Sequence, residues 1–245
     1  MAVVPAGPQL PLYLRPMAHG DGPRGEDHTG GSVGRSPRYR KGSAAFDRAV
    51  FFSDAIFAIS ITLAAVTIGV PEVNGPVTDQ SLWAAIKDKG PNLMAFALTF
   101  FWVAFYWRAN HKFTDRLDEI DGRYIAALLL YLAFIALLPV ATGTFGEYSN
   151  AVALSLFLVT VAIISSLEVV LLTVAYRDDL LADEPNWIQY RKEAMSSLTP
   201  VVIALLAVPI SFLSVVGAVA FLILGSVALG TLVARVVPDG DRVQA

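Results

Sequence analysis

Hydrophobic residues in this 245-residue chain form long runs, and the short segments between the runs hold most of the charges. Each run is close to the roughly 20 apolar residues that a helix needs to cross a bilayer. Four such runs lie at about 49–70, 91–107, 124–142 and 151–175. The stretch 198–237 holds one charge, Arg235, and is long enough for two crossings with a reversal near 210–215. The pattern predicts an all-α integral membrane protein with six transmembrane helices.

The composition agrees with a membrane protein and excludes several classes of function. Charged residues make up 16% of the chain, against roughly 25% in a soluble domain, so a water-soluble enzyme is excluded. Without cysteine there is neither a disulfide scaffold nor a thiolate metal site. Because no set of His, Asp and Glu has the spacing of metal ligands, we expect no metal and no cofactor. The net charge of −3 gives no excess of basic charge of the kind that binds nucleic acid.

The two ends of the chain are expected to lie outside the membrane domain. Residues 1–43 contain six prolines and eight glycines with almost no periodic apolar pattern, which is typical of a disordered segment. We therefore predict a disordered, basic, cytoplasmic tail over 1–45, a six-helix membrane domain over 46–237, and a short cytoplasmic tail over 238–245.

The basic residues in the loops indicate the orientation of the chain in the membrane. With a cytoplasmic N-terminus, sixteen of the eighteen Lys and Arg residues fall on the cytoplasmic side, and only Lys87 and Lys89 fall outside. This division supports six spans, because removing one helix would scramble it. It predicts a multi-pass protein of the cell membrane with both termini in the cytoplasm.

The first predicted span carries an aspartate, Asp54, near its start. An ionised carboxylate in hydrocarbon is costly unless it is paired or faces water, so Asp54 is a functional candidate. The same carboxylate can instead hold the bundle together by bonding to a neighbouring helix. Both roles are compatible with its position.

Two stripes run along this first span at about 100° per residue. One is mostly apolar and consists of Ala55, Ile59, Thr62 and Val66. The other carries hydroxyls seven residues apart, at Ser53, Ser60 and Thr67. A hydroxyl stripe can line a pore or hydrogen-bond to a neighbouring helix, and branched apolar side chains can form rings around an axis. Periodicity alone does not choose between the stripes.

Three motifs point to a known family. The first begins at Arg48 and reads R-x3-F-S-D-x2-F-A-I-x2-T-L, and the second begins at Trp107 and reads W-x2-N-H-x-F. The third comprises Leu137-Leu138-Pro139 and Gly146-Glu147-Tyr148, at the end of span three. Over roughly residues 46–236 the chain resembles the transmembrane protein 175 family of potassium channels.

This resemblance implies a homotetramer of six-span subunits in which the first helix of each subunit lines a pore for K⁺. It places the narrow apolar gate of the family at Ile59, its threonine layer at Thr62 and a further apolar ring at Val66. It also implies a polar network of Arg48, Ser53, Asp54, Trp107, Asn110 and His111. Asn110 departs from many relatives, which carry a second histidine there, so no role that needs two imidazoles is carried over. The expected function is a channel with modest preference for K⁺ over Na⁺, with other monovalent cations or protons as alternative permeants.

Two other functions are compatible with the sequence. A proton-coupled secondary transporter would use Asp54 or Glu168, although no pair of interrupted helices occurs in two inverted halves. A membrane assembly protein would transport nothing. For Glu168 itself we predict pairing with a basic helix end such as Arg108, with ion binding as the alternative. For His111 we predict a hydrogen-bonded structural role on the same helix face as Trp107, with pH sensing as the alternative.

Overall fold

A computed structural model describes residues 37–184 and 186–236 of the chain. In this part the chain forms seven α-helices and one two-stranded antiparallel ribbon. The helices are α1 (Ala44–Val66), α2 (Asp79–Asp88), α3 (Gly90–Thr114), α4 (Gly122–Tyr148), α5 (Ala151–Arg177), α6 (Trp187–Leu213) and α7 (Val215–Val236). The strands are β1 (Arg38–Arg40) and β2 (Glu119–Asp121).

The long apolar runs form helices as expected. By length and composition, α1, α4, α5 and α6 can each cross a membrane, and Val215–Ser226 forms a shorter apolar segment of α7. The predicted reversal within 210–215 is found at Ser214, whose extended backbone separates α6 from α7. The helix α3 has 25 residues but is less apolar, because its sequence includes Asn92 and several tryptophan and tyrosine residues.

The predicted boundaries need three corrections. Part of the segment predicted as a disordered tail is structured, since β1 lies there and α1 begins after Ser43, whose hydroxyl accepts from the Phe46 amide at 3.3 Å. The helix α1 also ends at Val66 rather than near residue 70. The short helix α2 is not among the predicted elements, and a capping box between Thr78 and Ser81 begins it. The predicted tails over 1–36 and 238–245 lie outside the described residues.

One end of the helical bundle is defined by the β1–β2 ribbon, and we call it the ribbon end. Arg38 pairs with Asp121 and Arg40 with Glu119, so the start of α1 lies beside the connection between α3 and α4. A bridge between Leu117 and Leu181 brings the connection between α5 and α6 to the same end. An ion pair joins Arg38 to Glu119 there.

At the opposite end of the bundle, which we call the far end, the end of α1, the start of α3 and the end of α4 lie together. Asn92, near the start of α3, donates its amide to the carbonyl of Thr67 just after α1, at 3.5 Å. Gly146, in the last turn of α4, lies so close that a Cβ there would be 3.0 Å from the Asn92 Cα. Helix α3 therefore runs the full length between the two ends, about 37 Å at 1.5 Å per residue.

The core is built from α1 and α3 to α7, with most of its residues on α3, α4 and α5, and hydroxyl groups satisfy one another inside it. Tyr106 of α3 bonds to the Ser165 hydroxyl of α5 at 2.7 Å, and the hydroxyls of Thr99 and Thr142 bond between α3 and α4. Buried polar groups cost free energy unless they are paired, so these contacts fix the register of the helices. The same framework fixes the position of α1, which packs on α3 and α4.

Candidate functional site

The first helix buries one face inside the protomer. Its buried residues are Phe46, Ser53, Phe57, Ser60 and Ala64. Phe57 contacts the ring of Tyr131 on α4 edge-on, with 6.1 Å between the ring centroids. Because this face packs on α3 and α4, it is the face that anchors α1 to the rest of the protomer.

The opposite face of α1 carries the predicted gate residues, and it is exposed. Ile59 is 52% exposed and Val66 is 69% exposed, and Thr62 is exposed between them. The Thr62 hydroxyl donates to the carbonyl of Ala58, one turn earlier, at 2.9 Å. The structure therefore brings Ile59, Thr62 and Val66 together on one surface of the protomer that no described element covers.

The hydroxyl stripe of α1 lies on the protein-facing side. Ser53 and Ser60 are buried, and Thr67 is half-buried. The Ser53 hydroxyl accepts from the Asn110 side-chain amide of α3 at 3.0 Å, whereas Ser60 and Thr67 donate to carbonyls of their own helix. Of this stripe, only the Ser53 hydroxyl bonds to a neighbouring helix, and the other two hydroxyls bond within α1.

Asp54 also contacts α3, through an indole. The Trp107 Nε1 donates to the Asp54 Oδ1 at 3.0 Å. His111 stacks on the Trp107 ring, with 5.4 Å between centroids and 13° between planes, so the two share a helix face as predicted. The His111 Nε2 lies 3.8 Å from the Asp115 carboxylate in an exposed pair, which contributes little stability.

The predicted polar network thus forms two separate pairs in this protomer, Ser53–Asn110 and Asp54–Trp107, with His111 stacked on the second. Arg48 lies apart from both. Its side chain is exposed, and it makes no hydrogen bond or ion pair to any residue that the structure describes. The position of an arginine on a surface helix end explains this, because its long side chain reaches solvent from the first turns of α1.

The pairing predicted for Glu168 is wrong. Arg108 is exposed, and in the described part of the chain no ion pair joins it to Glu168. The Glu168 Oε2 is buried and has no hydrogen-bond partner, and the Ser197 hydroxyl of α6 lies beside the carboxylate. A basic residue that does pair with these helices is Arg116, which forms an ion pair with Glu193 and donates to the Tyr176 hydroxyl at 3.0 Å. Nothing in the sequence spacing marks these partners, because they lie on different helices.

The Ser53→Ala variant is expected to lower the melting temperature of the purified protein clearly more than Ser60→Ala does. Removing the Ser53 hydroxyl leaves the buried amide of Asn110 without its acceptor, at a cost of about 1–3 kcal/mol. The Ser60 hydroxyl bonds only to Ile56 of its own helix, so its loss costs little. Both changes remove the same atoms from the same buried face, and equal melting temperatures in detergent would contradict the cross-helix bond.

The similarity of this chain to known proteins includes the first helix. Residues 48–139 match the family model described as endosomal/lysosomal potassium channel TMEM175. A potassium channel of Streptomyces collinus is 32% identical over 97 residues, which are 40% of this chain and 46% of that protein. A potassium channel of a Chryseobacterium species is 30% identical over 95 residues, which are 39% and 46% of the two chains. The matched region thus spans about half the length of these curated relatives.

A solved structure resembles the whole bundle. The crystal structure of a lysosomal potassium-selective channel TMEM175 homologue from Chamaesiphon minutus matches with a TM-score of 0.66 and 21% identity. The match covers 78% of this chain and 100% of that one, so the two share the fold. The resemblance carried by the motifs of α1 and α3 is thereby confirmed over residues 48–139, which match the TMEM175 family model.

Proposed function

We propose that this protein is a homotetrameric, potassium-permeable cation channel whose pore is lined by α1 of each subunit. The observation that carries the proposal is the two-sided character of α1. In the apolar 18-residue stretch of α1, only 22% is buried within the protomer, against 39% to 50% in the corresponding stretches of α4, α5 and α6. Among these four helices, the one that carries the family motif is therefore the least covered by its own chain, and a fourfold assembly would cover its exposed face.

Ile59 and Val66 would form apolar rings around the axis, with Thr62 between them. A constriction of branched side chains loses its water when narrow and admits a partly hydrated cation when it widens. The Thr62 hydroxyl uses its proton on the Ala58 carbonyl, which leaves the oxygen lone pairs to face a cation. Such a layer replaces part of the hydration shell and supports modest preference for K⁺ over Na⁺.

The two polar pairs would hold this pore helix in place. Ser53–Asn110 and Asp54–Trp107 both join α1 to α3 on the half of α1 nearer the ribbon end. At the far end, the Asn92 amide also holds the Thr67 carbonyl just after α1. In this role Asp54 positions the helix and does not contact the permeating ion.

We also propose six crossings, formed by α1 and by α3 to α7, with the ribbon end in the cytoplasm. The connections and helix ends at the ribbon end carry the basic residues Lys41, Lys112, Arg116 and Arg123, as cytoplasmic loops and their flanks do. Helix α3 is included because it runs from the far end to the ribbon end beside α1 and α4. Both termini and the short ribbon then face the cytoplasm in a multi-pass protein of the cell membrane.

Reconstitution into liposomes tests the proposed function. With a K⁺ gradient as the only driving force, we expect K⁺ efflux that persists when both sides are buffered to the same pH. Efflux through a channel should depend on a protonophore that carries the compensating charge. A proton-coupled transporter that uses Asp54 or Glu168 would exchange K⁺ for protons without it, and an assembly protein would give the leak of empty liposomes. Either of these two results would overturn the channel.

A further inference from the structure

A cavity of about 430 Å³ lies among α3, α4, α5 and α6, apart from the exposed face of α1. Lys112 and Glu193, near the ribbon end, line one part of it, and Tyr131 and Glu168 line another. Both Tyr131 and Glu168 are nine residues from the ribbon-end terminus of their helix, about 13 Å at 1.5 Å per residue. The cavity thus leads from the charged ribbon end into the middle of a single protomer.

The part of this cavity around Glu168 and Tyr131 holds buried oxygen atoms that have no hydrogen-bond partner. The Glu168 Oε2 and the Tyr131 hydroxyl are buried and have no hydrogen-bond partner among the described residues, and the Ser197 hydroxyl lies beside the carboxylate. A buried carboxylate oxygen without a donor is costly, and native structures normally satisfy such groups. Tyr131, Glu168 and Ser197, from three helices, therefore each offer the cavity an oxygen that can accept a hydrogen bond.

The size and the walls of the cavity indicate the kind of donor. At roughly 30 Å³ per water molecule, the volume is about fourteen times larger than a single water or a bare cation requires. Phe113, Leu171 and Leu172 give it apolar walls beside the acceptors. A primary ammonium group has three N–H donors, which matches the three oxygens in number, and a short apolar chain would pack on these walls.

We propose that this cavity binds a small organic primary ammonium ion. Its ammonium group donates to Glu168, Tyr131 and Ser197, and its carbon chain lies against Leu171 and Leu172. The site adjoins the polar contacts of the first helix, because Asn110 lines the cavity and also bonds to Ser53. It is distinct from the central pore proposed above, and its occupancy is measurable without any flux.

Saturation-transfer NMR on the full chain in lipid nanodiscs tests this site, with butylammonium chloride as the probe and empty nanodiscs as background. We expect saturable binding of butylammonium and at least about tenfold weaker binding of butyltrimethylammonium, which has the same charge but no N–H. Glu168→Gln should weaken butylammonium binding by at least about tenfold. Tyr131→Phe removes one acceptor and should weaken it by about fivefold.

Glu147→Gln is the matched control, because it removes one carboxylate charge from an exposed position at the far end of α4. It should leave butylammonium binding unchanged. If Glu168→Gln fails to fold, Tyr131→Phe and the butyltrimethylammonium comparison decide the question. Equal affinity for the two ammonium ions, binding unaffected by these variants, or signal no greater than that of empty nanodiscs would overturn the proposal.

Discussion

The Thr62→Lys variant is expected to lose nearly all K⁺ efflux in the liposome assay. In the proposed tetramer this change places four ammonium groups around the pore axis at one layer. At roughly 6 Å and an effective dielectric constant of about 20, each ammonium raises the energy of a passing cation by about 3 kcal/mol. A barrier raised by about 2.7 kcal/mol already slows a process about a hundredfold. We therefore expect efflux to fall by at least about a hundredfold.

The Thr62→Glu variant separates the effect of charge from damage to the fold. It places a charged side chain of similar length at the same exposed position, but the sign attracts cations. Efflux of K⁺ should be retained or raised in this variant, provided that both variants elute as the wild-type assembly in size-exclusion chromatography. If the two variants lose efflux equally, or if neither changes it, Thr62 does not face the ion pathway.

The sequence predicts best those helices whose length is set by the thickness of the bilayer. The predicted runs at 124–142 and 151–175 fall within α4 and α5, because a buried apolar helix must match the membrane thickness. Hydropathy does not report where a helix ends once it leaves the membrane. The helix α6 accordingly begins at Trp187, where Asn186 caps it, and its first turns carry charged residues. Hydropathy also does not detect α2, because this short helix contains both polar and apolar residues.

Contacts between helices are the part of the site that sequence could only partly predict. The motif resemblance identifies the residues of the polar network, but only the packing of α1 on α3 separates it into the Ser53 pair and the Asp54 pair. Glu168 shows the same limit, since its neighbours Tyr131 and Ser197 come from two other helices. The β1–β2 ribbon consists of two strands of three residues each, too short to show an alternating pattern.

The sequence limits the pore-lining face of α1 to two candidate stripes, but it does not decide between them. The apolar and hydroxyl stripes have the same helical periodicity, and either is compatible with a pore. The choice depends on which side is covered by the protomer, and Phe57 and Ser60 lie on that covered side. The exposed side is therefore fixed by the packing of α3 and α4 rather than by any property of α1 alone.

The Ile59→Asn variant tests the gate on this exposed side, and we expect it to raise K⁺ efflux by roughly tenfold, which corresponds to a barrier lower by about 1.4 kcal/mol. An amide at the constriction holds water where a branched hydrocarbon expels it, so the pore stays wet at a smaller radius. The preference for K⁺ over Na⁺ should decrease as well, because ions pass with more of their hydration shell.

Two controls show whether the effect belongs to the pore. Ile59→Leu keeps the volume and the apolar character, and its efflux should stay within about twofold of wild type. Ile223→Asn makes the same chemical change at an exposed position of α7, and it should leave efflux unchanged because that helix lies outside the proposed pore. If efflux and selectivity are unchanged in Ile59→Asn and the protein is still assembled, Ile59 does not form the gate. An equal rise in Ile223→Asn would instead indicate a general leak through a loosened bundle.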